Sequence, residues 1–292
     1  MRPLDASLTP VLRRIPVRGL HLAIREWPGE ERPFFLVHGL ASNACTWDGV
    51  ARRLSERGHR VVAVDQRGHG RSDKPEDGYG FEEVAGDLKA LVEALGIERP
   101  IVAGQSWGGN VALEYAVRWP HALAGLVLVD GGFIDLSGAP GATWEQVAEN
   151  LRPPPLAGTP REAMVARLRS FRPGWSDEQI EMQMGNYETL ADGTIRPWLT
   201  LERHMRILRA LWEQKPSELW SRVRTPALIA VAPAPWPERQ AQKAAGIARA
   251  QAAMEGASSV RWFEDSVHDI HVDKPDELAE WVLSTLAEGF FD

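Results

Sequence analysis

The sequence predicts an α/β protein: a mostly parallel central sheet with helices on both faces and a helical cap inserted after the sixth strand. Short, continuously apolar runs rich in valine and isoleucine recur along the chain, as strands covered on both faces require. Segments of helical periodicity separate them, and strand–helix alternation implies parallel strands joined by crossover helices. The rhythm breaks once, over residues 135–215, a tryptophan- and methionine-rich stretch with helical patterning and no clear strand.

The elements follow in order. "LRRIPVRGLHLAIREW" reads as two strands turning at Arg18-Gly19, an antiparallel edge. The apolar runs are then "PFFLVHG", "HRVVAVDQRG", "PIVAGQS", "LAGLVLVDGG", "PALIAVA" and "SVRWFEDS". The helical segments are "TWDGVARRLSERG", "FEEVAGDLKALVEALG", "GGNVALEYAVRWP", "ERQAQKAAGIARAQAAMEG" and "PDELAEWVLSTLAEG". Residues 1–134 and 216–292 are thus expected to form the core domain, and 135–215 the cap. In such sheets ligands bind beyond the carboxyl ends of the strands, where the motifs below fall.

Composition narrows the function. A 292-residue chain with 44% hydrophobic and 25% charged residues has the makeup of a soluble globular protein. A net charge of −7 argues against a nucleic-acid partner, and no apolar run reaches membrane-spanning length. One cysteine, Cys45, excludes an internal disulfide and a cysteine metal cluster; it is expected as a small buried apolar side chain. The opening "MRPLDASLTPVLRR" has no apolar leader core, so the expectation is a cytoplasmic monomer or weak homo-oligomer.

"GQSWG", residues 104–108, is a G-x-S-x-G pentapeptide between a strand run and a helical segment, the context in which a serine becomes a nucleophile on a strained turn. Gly104 and Gly108 remove side chains that would collide there. A serine hydroxyl needs a base. Of eight histidines, His268 is the first residue to leave the last strand run in "SVHDIHVDKP", and the order Ser…His suits this chemistry. His268 is therefore assigned the base, with His271 as fallback, expected buried beside Asp273 and Pro275.

Four motifs carry a resemblance: "VHGLASN" (37–43), "VDQRGHGRSD" (64–73), "GQSWGGN" (104–110) and "HDIHVDKP" (268–275). In order and spacing the chain resembles the α/β-hydrolase superfamily, in its capped esterase, lactonase and dehalogenase-like branch. The resemblance implies that His38-Gly39 bends the chain so that the backbone N–H of Leu40, with that of Trp107, forms an oxyanion hole. It gives Arg67 and His69 a bracing role only.

The acid departs from the pattern. Most relatives place an aspartate after the next-to-last strand, but "PAPWPERQ" there has none; Trp236 stands about where one is expected, and the first carboxylate is Glu238. Some members take the acid from the end of the preceding strand, where this chain has Asp130. Asp130 is the first candidate and Glu238 the alternative; Asp269 is expected to point away from His268, and Asp135 is a minor candidate.

A serine nucleophile argues against dehalogenase and epoxide-hydrolase chemistry, leaving acyl transfer to water. The expected substrate is a small molecule, a medium-sized apolar or aryl ester or lactone, with no metal or organic cofactor. His38, Trp175, Met182, Met184, Tyr187, Trp198 and Met205 are candidate pocket residues. A proline iminopeptidase-like amidase, a C–C bond hydrolase, an acyltransferase and a ligand-binding pseudo-hydrolase remain alternatives.

Overall fold

The structure is a computed structural model that describes residues 9–138 and 141–292. Residues 1–8 of the opening segment and 139–140 of the expected cap lie outside the described residues.

The chain opens with β1 (Val11–Val17) and β2 (Leu20–Trp27), then β3 (Glu31–Val37), α1 (Asp48–Glu56), β4 (His59–Val64), α2 (Phe81–Ala94), β5 (Ile101–Gln105), α3 (Trp107–Arg118) and β6 (Gly125–Val129). β1 and β2 pair antiparallel in register Val17↔Leu20, with Arg18 and Gly19 both at positive φ. That turn twists in the same sense as the strands it joins. After β6 the chain makes a long excursion: α4 (Trp144–Asn150), β7 (Thr159–Pro160), α5 (Arg161–Phe171), α6 (Asp177–Met184), β8 (Tyr187–Thr189), β9 (Thr194–Pro197) and α7 (Leu201–Glu213). It returns through α8 (Pro216–Leu219), β10 (Ala227–Val231), α9 (Pro237–Ala253), β11 (Ser258–Trp262), α10 (Ile270–Asp273) and α11 (Pro275–Ala287).

The main sheet has eight strands in the order β1-β2-β4-β3-β5-β6-β10-β11, parallel from β4 onward along that order. Successive side chains of a strand point to opposite faces, and the sequence fills both. Phe35, Val37, Val62 and Val64 pack with the apolar faces of α2, α3 and α9. Phe34, Leu36, Val61 and Ala63 pack with Val50 and Leu54 of α1 and Leu278 and Val282 of α11. This two-sided burial explains the unbroken apolar runs.

The excursion contains a three-stranded antiparallel sheet, β7-β9-β8, where a purely helical cap was expected. Strands of two to four residues leave no periodic trace. Turn chemistry sets them instead: Gly193 sits at φ 79, and Asp192 Oδ1 accepts the N–H of Thr194 at 2.9 Å. The excursion docks on the carboxyl-end loops of the main sheet. Asn43 Nδ2 donates to Met182 O (3.0 Å), Gln179 Nε2 to Val272 O (2.6 Å), and Arg203 to the carbonyls of Lys74 and Pro75. Among the described residues no helix is long and apolar enough to cross a membrane.

Candidate active site

Ser106 joins β5 to α3 at φ 53, ψ −124, a conformation costly for a residue with a Cβ. The turn is held from several sides. Its N–H donates to Val129 O at 3.0 Å, and a Cβ built on Gly104 would stand 2.2 Å from Gly108 O. A Cβ on Gly131, just past the end of β6, would stand 2.2 Å from Ser106 O. A Cβ on Gly39 would approach the Ser106 Cβ to 3.1 Å, so the loop after β3 lies directly against the serine. Among the described residues, no acceptor takes the N–H of Leu40 or of Trp107. Two unused donors therefore flank Ser106, one next to Gly39 and one next to the serine itself.

Two histidines hold this loop. His38 Nε2 accepts the N–H of Gln66 (3.1 Å) and His69 Nε2 accepts that of Ala41 (3.2 Å). Each ring must then carry its proton on Nδ1, donated to Gly39 O (2.7 Å) and Arg67 O (3.0 Å) respectively. Burial pushes both pKa values below the ordinary histidine range, in keeping with neutral rings. His69 also stacks on Trp107 with ring centroids 5.4 Å apart. Arg67 makes a buried bidentate pair with Asp87 at 2.6 and 2.7 Å, tying the same loop to α2. Removing one partner of such a pair costs about 3–5 kcal/mol.

His268 stands beyond β11 with its side chain half exposed, and its Nδ1 lies 2.7 Å from Oδ2 of Asp130, itself only 5% exposed at the tip of β6. Partial burial lowers the pKa of His268, but the hydrogen bond and charge of Asp130, joined by the charge of Asp269, outweigh it and hold the net value above the ordinary one; Lys243 opposes them. Among the described residues, the other candidate carboxylates make no hydrogen bond to the ring. Glu238 is exposed in the first turn of α9, Asp135 binds Ser137, and burial raises the pKa of Asp269, whose Oδ1 accepts from Gln105 Nε2 at 3.4 Å. His271 is fully buried against Trp47 (4.5 Å between rings), with no hydrogen-bond partner among the described residues on either ring nitrogen, and burial pushes its pKa down to about 3. The fallback base is therefore enclosed in the core rather than placed at the strand ends.

Gln105 went unnoticed in the sequence because it is the variable position of the G-x-S-x-G pattern. Buried beside the serine, it donates to His268 O at 3.3 Å, and its Oε1 is the atom nearest a Cβ on Gly39. One side chain thus spans the loops that carry Leu40 and His268. Gln105→Leu should lower kcat/KM of any reaction carried out at Ser106 about 10- to 100-fold, since small displacements of reacting groups cost that much. Steady-state kinetics beside a melting curve separates this from lost stability.

The expected pocket residues divide. Tyr187 and Trp198 line a cavity of about 850 Å³ with Ala41, Ser42, Leu156 and Leu199, and also a second cavity of about 1010 Å³ against the β1–β2 hairpin. Ser106 and His268 are in neither wall; Ala41 and Ser42, which line the smaller cavity, follow Leu40 in the chain. The others require correction. His38 is inside the protein as a brace, and Met184 fills the excursion's own core with Met164, Ile180 and Ile195. Met182, buried on α6, lines a different cavity of about 390 Å³ beside Gln179 and Pro275, and half-buried Met205 on α7 is in neither of the two larger cavity walls. Trp175 spends its indole N–H on Asp273 Oδ1 at 2.9 Å, docking the excursion onto the His268 loop. Apolar side chains in a small layer fill that layer before they line a ligand site. Half-buried Cys45 lines the larger cavity, and burial pushes its thiol up to about 11, so it stays protonated.

Against known proteins, a model of the alpha/beta hydrolase fold family matches residues 32–179, half of the chain. The chain belongs to the alpha/beta hydrolase fold family. This hydrolase-fold chain is 36% identical over 132 residues to an uncharacterised protein of Mycobacterium tuberculosis, covering 45% of this chain and 38% of the other. It is 34% identical over 120 residues to a 2-(acetamidomethylene)succinate hydrolase of Mesorhizobium japonicum, covering 41% and 42%. The matches thus span about two fifths of those relatives. Among solved structures, an E-2-(acetamidomethylene)succinate hydrolase superposes with TM-score 0.77 at 23% identity over 95% of this chain and 99% of that one, a likeness of fold.

Proposed function

We propose that this protein is a serine hydrolase that cleaves carboxylic esters through an acyl-enzyme intermediate. The observation that carries the proposal is Ser106 in its strained strand-to-helix turn, since strain of this kind persists where function uses it. Ser106 Oγ attacks the ester carbonyl carbon and gives its proton to His268 Nε2. Asp130 holds His268 through Nδ1 and stabilises the imidazolium. The N–H groups of Leu40 and Trp107 receive the oxyanion, a contribution of about 2.7–4 kcal/mol per donor in comparable sites. His268 then protonates the departing alkoxide. In the second half it takes a proton from water, which attacks the acyl carbon, and returns that proton to Ser106 Oγ as the acyl C–O bond breaks, releasing the acid and free Ser106.

The 850 Å³ cavity supports the substrate class. Its wall is largely apolar, with Pro153, Pro154, Leu156, Trp198 and Leu199, and it fits a medium-sized acyl or aryl group or a lactone. Lys74 and Arg152 also reach this wall, which favours a second class of acyl groups ending in a carboxylate. Release of p-nitrophenol from acyl esters of increasing length, with and without a terminal carboxylate, tests both. Turnover on the series supports the proposal; none on any member counts against it.

The acid limb of the rate profile has a fixed direction. The base must be neutral to take the serine proton, and Asp130 and Asp269 favour the protonated ring. kcat/KM should therefore fall with decreasing pH about a midpoint above about 6.5, the ordinary histidine value. A midpoint at or below that value would contradict the assignment of His268.

A further inference from the structure

The helix after β10 sends a side chain back to the site. Lys243 of α9 places Nζ 2.5 Å from Oδ1 of Asp130 and 2.6 Å from Ala232 O. The two carboxylate oxygens are divided: Oδ1 takes Lys243 and the N–H of Ala232 (3.1 Å), while Oδ2 takes His268 Nδ1 (2.7 Å). Both ion-pair partners are shielded, with side chains 5% (Asp130) and 18% (Lys243) exposed, so water screens the pair weakly. Resting on the hydrolase function proposed above, we propose that Lys243 is a positioning residue of this site: it locks Oδ1 so that Oδ2 is presented to His268, and it makes the histidine face a partly neutralised acid.

Two physical effects separate. With Lys243 and Ala232 on Oδ1, rotation of the carboxylate breaks an ion pair and a hydrogen bond at once, whereas Ala232 alone is a weak hinge. The second effect is charge. The charged groups facing His268 are Asp130 on β6, Asp269 on its own loop and Lys243 on α9, and the cation opposes the two carboxylates. Asp269 in turn faces Arg172 of the excursion and Asp273 of α10, while His271 beneath the loop is held neutral. Removing Lys243 leaves both carboxylates unopposed from the α9 side. His268 then holds its proton to higher pH, and a smaller fraction is ready to act as base on the acid limb. A lysine suits the role because its compact ammonium can address Oδ1 and a carbonyl together.

The test follows the His268 ring by NMR through a pH titration, its resonance assigned with His268→Gln, in wild type, Lys243→Met and Lys243→Arg. Ester kinetics run in parallel. Lys243→Met should move the His268 titration to higher pH. It should lower kcat/KM about three- to tenfold on the high-pH plateau, where only the loosened hold on Oδ1 acts, and by a further factor on the acid limb, where the shifted titration adds to it. Lys243→Arg should restore the wild-type titration. An unmoved titration in Lys243→Met overturns the proposal, and so does a high-pH plateau equal to the wild type. Should Lys243→Met fail to fold, Lys243→Gln, a neutral side chain that keeps a donor for Ala232 O, carries the same expectation. Because the titration needs no turnover, a shifted His268 in a protein inactive on every ester supports the role of Lys243 toward Asp130 and His268 while removing the ester-hydrolase function.

Discussion

Ser106→Ala is expected to lower kcat for ester hydrolysis by about six orders of magnitude, leaving only what binding and the oxyanion donors supply. The size of the loss follows from the role: without Oγ there is no acyl-enzyme, and water must attack directly. Alanine keeps the Cβ that the turn at φ 53 already accommodates, so the variant should melt with the wild type and bind substrate analogues equally well. Single-turnover kinetics with a p-nitrophenyl ester measures both quantities. Retained turnover in a folded variant would move the chemistry to another residue.

Asp130→Asn should cost about 10⁴-fold in kcat, the penalty of presenting the wrong imidazole tautomer. The neighbours of Asp130 make the outcome definite. Lys243 Nζ and the N–H of Ala232 are both donors, so they draw the amide oxygen to the Oδ1 position. The amide NH₂ then points at His268 Nδ1 and forces it to accept. The ring proton moves to Nε2, where it blocks acceptance of the serine proton. Glu238→Gln should leave kcat within about twofold, because that carboxylate is exposed on α9 and surface changes of this kind are near neutral. Near-normal turnover in Asp130→Asn with an inactive Glu238→Gln would reverse the assignment of the acid.

What was legible in the sequence follows from what each feature needs. Strands β3, β4, β5, β6 and β10 are buried on both faces, so "FFLV", "VVAV", "IVAG", "LVLV" and "ALIAV" leave no alternative to a covered parallel sheet. The hairpin at Arg18-Gly19 was legible because both turn residues must take positive φ. The serine turn was legible because a Cβ on Gly104 would stand 2.2 Å from Gly108 O and one on Gly108 2.4 Å from His38 O, so both positions require glycine. The excursion was less so. Its strands β7, β8 and β9 are two to four residues long, and its Met164 and Met184 fill a separate small core. Asp130 and His268 are 138 positions apart, so only their places at strand ends hinted at a meeting. Gln105 and Lys243 carried no signal: one is a variable position within a motif, and the other sits in the alanine- and glutamine-rich surface helix "ERQAQKAAGIARAQAA".

The most direct measurement is covalent labelling of the wild-type protein with a fluorophosphonate, read by intact mass and peptide mapping, beside Ser106→Ala. An activated serine displaces fluoride and forms a stable phosphonyl ester, so no knowledge of the natural substrate is required. The expected result is one adduct per chain, mapped to Ser106 and absent from the alanine variant. No adduct, or one on a different residue, would contradict the assignment of Ser106 as the nucleophile.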